Sequence, residues 1–415
     1  MTGKFKAMKQ GKILILFVFI FSVIGLLQAE EGSFEIDLRG YSNTNLMFYR
    51  IPDGYQAFGI EKGTYFEFSN ITRAALISTP AEWVTVEVAY SIAPSVSDLN
   101  RRALAFNEPS VDRYRLIDVP ELISEYEYGS VSQNIDRVTA QFRTPFADIT
   151  AGRQAISFGS GRFFNPTDVF SPFSYQSLNK EEKTGVDALR VQVPIGKMSE
   201  IDLGYVIGEE GNWKKSAAFI RGKFDLKGTD LSIIAMEYKT HFMTGINISS
   251  SVKGAGVWLE AAYTFSNLLE KYDNDNDFFR ISAGADYYFS GDFYLFGEYH
   301  YSSAGTIDKK DYLFNSRTKE SAYKDGGVYL LGEHYFAPGF SWQVHPLVSL
   351  SLAVLMNLTD PSAMISPKIS FSLDENIMVD IGASINAGKR IKNSELESEF
   401  GAYPDFYYLS ARLYF

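Results

Sequence analysis

The chain has no cysteine, and its 415 residues include only four histidines and four tryptophans. Without cysteine there is no disulfide, no thiolate zinc site, no thiol nucleophile and no lipidated N-terminal cysteine. Long apolar runs are equally scarce. After residue 30 none approaches the roughly 20 uncharged residues of a membrane-crossing helix, which excludes a polytopic helical membrane protein. Positive charge is short as well, with 39 Lys and Arg against 50 Asp and Glu. A net charge of −11 argues against nucleic acid as a partner, because that binding rests on clustered cations. Mean hydropathy is −0.10, as in soluble proteins, and at roughly 150 residues per domain the length suggests two or three domains. What the chain has in excess is aromatic residues, with 33 Phe and 26 Tyr.

The one apolar run is at the start. Lys4, Lys6, Lys9 and Lys12 precede Ile13 to Leu27, and Gln28-Ala29 leads into Glu30-Glu31. A basic region, a short apolar stretch and a small residue read as a secretory signal peptide, residues 1–29, cleaved after Ala29. Its removal takes away four lysines and no acid. The exported chain, residues 30–415, is therefore still more acidic.

Beyond residue 30 the sequence alternates with period two. Val84, Val86, Val88, Tyr90 and Ile92 oppose Thr85, Glu87, Ala89 and Ser91. Val257, Leu259, Ala261, Tyr263 and Phe265 oppose Trp258, Glu260 and Thr264. Phe279 to Phe289 and Ile377 to Ile385 repeat the pattern. Tight links (Thr79 to Glu82, Thr144 to Ala147, Lys227-Gly228, Ser290 to Asp292) take turns with long polar ones (Ala93 to Gln133, Gly159 to Thr184, Ala304 to Asp325, Gly388 to Pro404). Short turns at one end and long loops at the other describe an all-β fold, a transmembrane antiparallel β-barrel. Closure also gives every backbone group a partner inside lipid. The count is about 18 strands, or 16, since Thr240 to Ser251 reads as one hairpin or as a loop. Such a barrel encloses an aqueous lumen, and the aromatic excess becomes interfacial girdles, with Tyr287, Tyr288 and Phe289 on the periplasmic side.

The final strand places Tyr407, Leu409, Ala411, Leu413 and Phe415 on one face. This resembles the C-terminal signature of bacterial outer-membrane barrels, and it marks Tyr407, Leu409, Leu413 and Phe415 as the membrane-assembly signal read by the barrel-assembly machinery. The opposite faces line the lumen. Arg137, Arg143, Arg190, Arg221 and Lys223 form one wall, with Asp202 as an exception. Glu260, Asp286, Glu298 and Asp380 form the other, with Arg280 and His300 among them. Opposed walls of charge would set up a transverse field for polar solutes. The alternative is that neighbours pair and brace the wall.

Ala151-Gly152-Arg153-Gln154, followed by Phe158-Gly159-Ser160-Gly161-Arg162-Phe163-Phe164-Asn165-Pro166-Thr167-Asp168-Val169-Phe170-Ser171-Pro172, is the most distinctive stretch. Over residues 148–194 it resembles bacterial outer-membrane porins of the alginate-export type. Those porins carry a dense Arg/Lys lining for an acidic polysaccharide, and this acidic chain departs from that pattern. Gly159 and Gly161 permit a sharp turn, and Pro166 and Pro172 stiffen the chain beyond it. The loop therefore either folds inward, with Arg153, Arg162 and Asp168 at a constriction, or packs as an outer lid.

Catalysis is not expected. Glu298, His300 and Ser302 share a face but lack a recognisable nucleophile setting, and Gly159-Ser160-Gly161 is not a nucleophile elbow. Asp273 to Asp277 begins like a calcium loop, but Phe278 and Gly284 stand where glycine and glutamate belong. No cofactor and no metal are implied. The expectation is a porin in the outer membrane of a double-membraned bacterium, reached through the general secretory pathway. Its partners are membrane lipid, lipopolysaccharide and small hydrophilic solutes. A substrate-selective export or uptake channel (sugar, organic acid or polysaccharide) and a plugged adhesin or structural barrel remain alternatives, and a homotrimer stays open.

Overall fold

The alternating segments become strands whose hydrogen bonds run to their sequence neighbours, until the last strand meets the first. The computed structural model describes residues 35–55, 61–98, 114–116, 122–126, 128–170, 182–268, 276–289, 291–392 and 395–415. The expected signal peptide lies outside these residues, as do Asp273 to Asp275. The strands are β1 (Glu35–Ile51), β2 (Gly63–Ala81), β3 (Val84–Ser97), β4 (Leu122–Tyr126), β5 (Gly129–Arg143), β6 (Asp148–Gln154) and β7 (Val186–Ile195). They continue as β8 (Ser199–Val206), β9 (Ala217–Asp225), β10 (Thr229–Tyr238), β11 (His241–Val252), β12 (Ala255–Phe265) and β13 (Phe278–Tyr288). The last are β14 (Phe293–Ser302), β15 (His334–His345), β16 (Val348–Asn357), β17 (Ser362–Asp374), β18 (Ile377–Ala387) and β19 (Asp405–Tyr414). A short helix, α1 (Tyr312–Thr318), lies in one long loop.

Eighteen of these strands form a closed antiparallel ring. β1 pairs with β2 on one side and with β19 on the other, and Gly40 and Phe415 exchange both backbone hydrogen bonds at 2.8 and 3.0 Å. Among the described residues the extra strand, β4, pairs only with Gly129 to Ser132 of β5. It covers the edge that β5 leaves above β6, whose own pairing spans Val138 to Arg143. The stretch from Thr240 resolves as β11, joined to β10 by a turn at Lys239-Thr240. That rules out 16 strands. A single barrel replaces the two or three domains that length suggests. Among the described residues no helix is long and apolar enough to cross a membrane.

At the short-turn end, Lys227-Gly228 and Lys253-Gly254 all have positive φ, the conformation a two-residue hairpin needs to match strand twist. Alternation sets the two faces. On β12, Leu259, Tyr263 and Phe265 are exposed, whereas Trp258, Glu260, Ala262 and Thr264 are buried. On β19, Tyr407, Leu409 and Leu413 are exposed, as is Phe415 just beyond it, and Ser410 is buried. Outward aromatics cluster near both rims. Tyr287 and Phe289 lie 4.8 Å apart, and Phe293 and Phe340 5.6 Å, at the short-turn end. Tyr263 and Phe265 lie 4.7 Å apart, and Phe48 and Phe66 5.6 Å, at the other.

The register breaks at one informative place. Ala89 faces Arg137 but Tyr90 faces Ile135, so Asp136 is the extra residue of a bulge. Inward side chains are buried because chain segments enter from the long-loop end. Ile156, Phe158, Val169 and Phe170 pack on Val186, Phe219 and Met236 of the wall. Above them, Ile51, Tyr55, Tyr312, Tyr323, Leu331 and Leu396 form a second apolar cluster across the mouth.

Candidate functional site

The segment after β6 folds into the lumen. Gly159 adopts φ +104°, a region open to glycine at low cost, and the chain crosses to the wall of β11–β14. Two glutamates receive it there. Glu260 accepts from the backbone N–H of Ser160 (3.1 Å) and Thr167 (2.7 Å) and from the Thr167 hydroxyl (2.7 Å). Glu298 accepts from three consecutive backbone N–H groups, Arg162 (2.9 Å), Phe163 (2.9 Å) and Phe164 (3.1 Å). Consecutive amides converging on one carboxylate form an anion nest. A Cβ on Gly161 would stand 1.9 Å from the Phe164 carbonyl oxygen and 2.7 Å from Glu298 Oε1, so only glycine permits the closure.

The loop tip continues the pattern with a fixed ion pair. Arg162 Nε and Nη2 donate to Asp286 Oδ2 at 3.0 and 2.8 Å. Tyr294 donates to the same oxygen at 2.8 Å, and the Arg162 guanidinium lies 5.5 Å from the Trp258 ring centre. Phe164 stacks on His300 at 4.6 Å, and the Nδ1 of His300 is 2.8 Å from Ser282 Oγ. That imidazole is a buried pad beneath the loop. Asp168 is buried under the loop, accepting from Ser157 at 2.9 Å and pairing with Lys183. It lines a cavity of about 390 Å³ that also includes Lys183, Arg280 and His300. The loop thus lies across the lumen, with its Gly159-to-Phe164 tip against one wall.

The basic wall is largely neutralised. Arg73 holds Asp136 at 3.1 Å, and Arg137 reaches Asp136 and Glu182, both at 3.2 Å. Arg190 pairs bidentately with Asp202, at 2.8 and 2.7 Å. Arg221 reaches Asp202 at 3.1 Å and Glu200 at 3.2 Å. Mutual bracing is therefore what the geometry favours over a naked transverse field. Arg143 and Lys223 share the lumenal face near the short-turn end and are exposed. Arg280 faces inward, 5.6 Å from the Phe278 ring centre, and Asp380 pairs with Arg412.

Arg153 is different. It stands opposite Val138 and Asp187 in the register, and Asp187 shares a face with the exposed Leu189. Its guanidinium donates to Asp187 at 2.7 and 3.1 Å. The positive φ of Gly152 (+107°) turns the strand here. Arg153 fastens the strand end, and Arg162 occupies the loop tip without it.

Sequence reasoning missed the partners. Arg73 and Asp136 are 63 residues apart, and the bulge at Asp136 breaks the alternation that would assign its face. Glu182 lies in a loop. That Glu260 and Glu298 hold backbone amides has no side-chain signature at all.

No family model matches the sequence, and no curated protein does. Solved structures do resemble the fold. OccAB3 of Acinetobacter baumannii superposes with a TM-score of 0.58 at 10% identity, covering 91% of this chain and 99% of its own. OccAB1 of the same organism gives 0.55 at 11% identity, covering 94% and 99%. OpdK of Pseudomonas aeruginosa, solved with vanillate, gives 0.54 at 8% identity, covering 91% and 98%. At these identities the likeness is one of fold. It lies with outer-membrane porin barrels of the Occ and OprD kind, and the alginate-export resemblance is not supported. The glycine- and phenylalanine-rich loop that carried that resemblance is accounted for by inward folding onto Glu260 and Glu298.

Proposed function

We propose that this chain is a non-enzymatic outer-membrane channel through which small hydrophilic solutes pass passively. The inward loop clamped by Glu260 and Glu298 carries the reading. It narrows a polar lumen and leaves cavities on both sides of the loop, among them those of about 390 and 340 Å³. The capture of vanillate in the neighbouring OpdK structure supports passage of solutes on that scale. Purified barrel in a planar bilayer is expected to give discrete, ohmic current steps. Correctly folded protein that gives no current would overturn the reading.

The apolar cluster across the mouth supports a second reading, a plugged barrel with a surface role. Removing residues 303–333 separates the two. A plug yields current only after the deletion, and a channel conducts before it.

The outer-membrane address rests on three further proposals. Residues 1–29 are a cleaved signal, Tyr407, Leu409, Leu413 and Phe415 are read by the assembly machinery, and the exposed outer face meets lipid and lipopolysaccharide. In cell fractions the mature protein is expected to begin at Glu30. Deleting Phe415 should cut the heat-modifiable barrel in the outer membrane severalfold. Equal recovery without Phe415 would remove it from the assembly signal.

A further inference from the structure

Between β14 and β19 the inner wall forms a trough that the clamped loop does not fill. Its cavity is about 340 Å³. Aromatic rings bank both sides, Tyr294 and Phe296 on β14 and Phe406 and Tyr408 on β19, and Phe163 of the inward loop forms the roof. The floor between them is built of small residues, with Ser341, Ser351, Ser366 and Ser384 among them. At the short-turn end Lys368, Asp380 and Arg412 close it.

Two glycines decide how the rings lie. Phe296 stands opposite Gly339, and Tyr408 opposite Gly382, in adjacent strands. A Cβ on Gly339 would come within 2.5 Å of the Phe296 ring, and one on Gly382 within 2.4 Å of the Tyr408 hydroxyl. Each ring therefore reaches over a glycine backbone, in space that any side chain there would fill. A ring face carries the negative part of the aromatic quadrupole, which suits the polarised C–H groups on one side of a sugar ring.

The polar groups select further. Asp380 is 2% exposed and Ser384 3%, yet Asp380 Oδ1 and Ser384 Oγ have no hydrogen-bond partner among the described residues. Arg412 and Lys368 both approach the other oxygen, Oδ2. One carboxylate shared by two cations leaves Oδ1 as an acceptor in want of a donor. A ligand hydroxyl supplies that donor, and a ligand carboxylate does not. Serine hydroxyls, able both to donate and to accept, complement a polyhydroxylated ligand in the same way.

We infer that this trough is a binding subsite for a neutral saccharide. A sugar ring lies against Phe296 and Tyr408, and its hydroxyls donate to Asp380 Oδ1 and Ser384 Oγ. The subsite rests on the channel reading above and gives it a substrate class.

The test titrates maltose, glucose and benzoate into the full-length folded barrel in detergent by calorimetry, and adds each to the bilayer current. Maltose is expected to bind saturably in the millimolar range and to block the current. Phe296→Ala and Tyr408→Ala should each weaken it at least fivefold, and Gly382→Ala, which tilts the ring, should do likewise. Asp380→Asn should weaken maltose severalfold; a merely structural Asp380 would leave maltose affinity unchanged in the folded variant. Heat-modifiable migration identifies the folded variants. Saturable benzoate binding lost in Lys368→Gln, with no maltose binding, would overturn the proposal in favour of an aromatic anion. Absence of saturable binding by either sugar would also overturn it. Current without sugar binding sinks the subsite alone, whereas sugar binding without current sinks the channel alone.

Discussion

Replacing Glu260 and Glu298 together by alanine is expected to raise single-channel conductance severalfold. The two carboxylates take five backbone N–H groups of the inward loop, from Ser160, Arg162, Phe163, Phe164 and Thr167. Both glutamates are fully buried. Each charge-assisted bond contributes about 1.5–3 kcal/mol, and a buried donor left unsatisfied costs a further 1–3 kcal/mol. Loss of both clamps therefore removes on the order of 5 kcal/mol or more from the inward position, against which the Arg162–Asp286 pair and the Phe164–His300 stack remain. The apolar contacts of Phe158 and Phe170 with Phe219, at 5.0 and 6.2 Å between centroids, anchor the loop base and not its tip. The tip, and not the base, should loosen.

Glutamine at both positions distinguishes the cause. A side-chain amide has one acceptor oxygen, and its NH₂ would face N–H donors of the nest. Glu260→Gln with Glu298→Gln should therefore open the channel nearly as far as the double alanine variant, although Gln and Glu are almost the same shape. Conductance unchanged in both double variants, with the loop still protected from protease, would mean that the rings and not the carboxylates hold the loop.

The fold was largely legible in the sequence, because period-two alternation reports which face each residue takes in a strand. Leu259 against Glu260, or Leu409 against Ser410, needed no structure. The legible part ended where the backbone departed from a plain strand. At Asp136 a bulge adds one residue, so Asp136 and Arg137 both serve the same inner ion-pair network. At Gly152 a positive φ turns Arg153 toward Asp187. The candidate site was legible as a set of inward charges and not as a set of partners. Glu260 and Glu298 satisfy main-chain amides, and any sequence supplies those at every position except proline. Asp202 stood out as an exception in a basic wall, and it proves to be the residue that Arg190 and Arg221 share.

The mouth of the barrel supplies the other large effect, a fall in open probability on acidification. Glu399 is buried between three loops. It accepts from Tyr335 Oη (2.5 Å), Asn357 Nδ2 (2.7 Å) and Leu331 N–H (2.9 Å). Its own N–H donates to Asp360 Oδ2 at 2.8 Å, and Tyr312 donates to the same oxygen at 2.9 Å. Tyr323 and Tyr403 also face this cluster, and Arg390 is held nearby by the Gly401 and Tyr403 carbonyls. Burial pushes the Glu399 carboxyl up to about 7 from 4.5, and the nearby Asp360 carboxylate adds to it. When the loops part, Glu399 returns to water and to its ordinary value. Between those two values the closed mouth holds a proton that the open one lacks. Closure is thus fully favoured below about pH 4.5, weakens as pH rises through that window and has lost the contribution above about 7. Over the window this amounts to about 3 kcal/mol. Bilayer recordings should show open probability rising by one to two orders of magnitude between pH 5 and pH 8. Glu399→Gln, which cannot ionise, should show the same open probability at both. A wild-type pH profile retained by Glu399→Gln would place the switch elsewhere, since no other change separates the two proteins across that range.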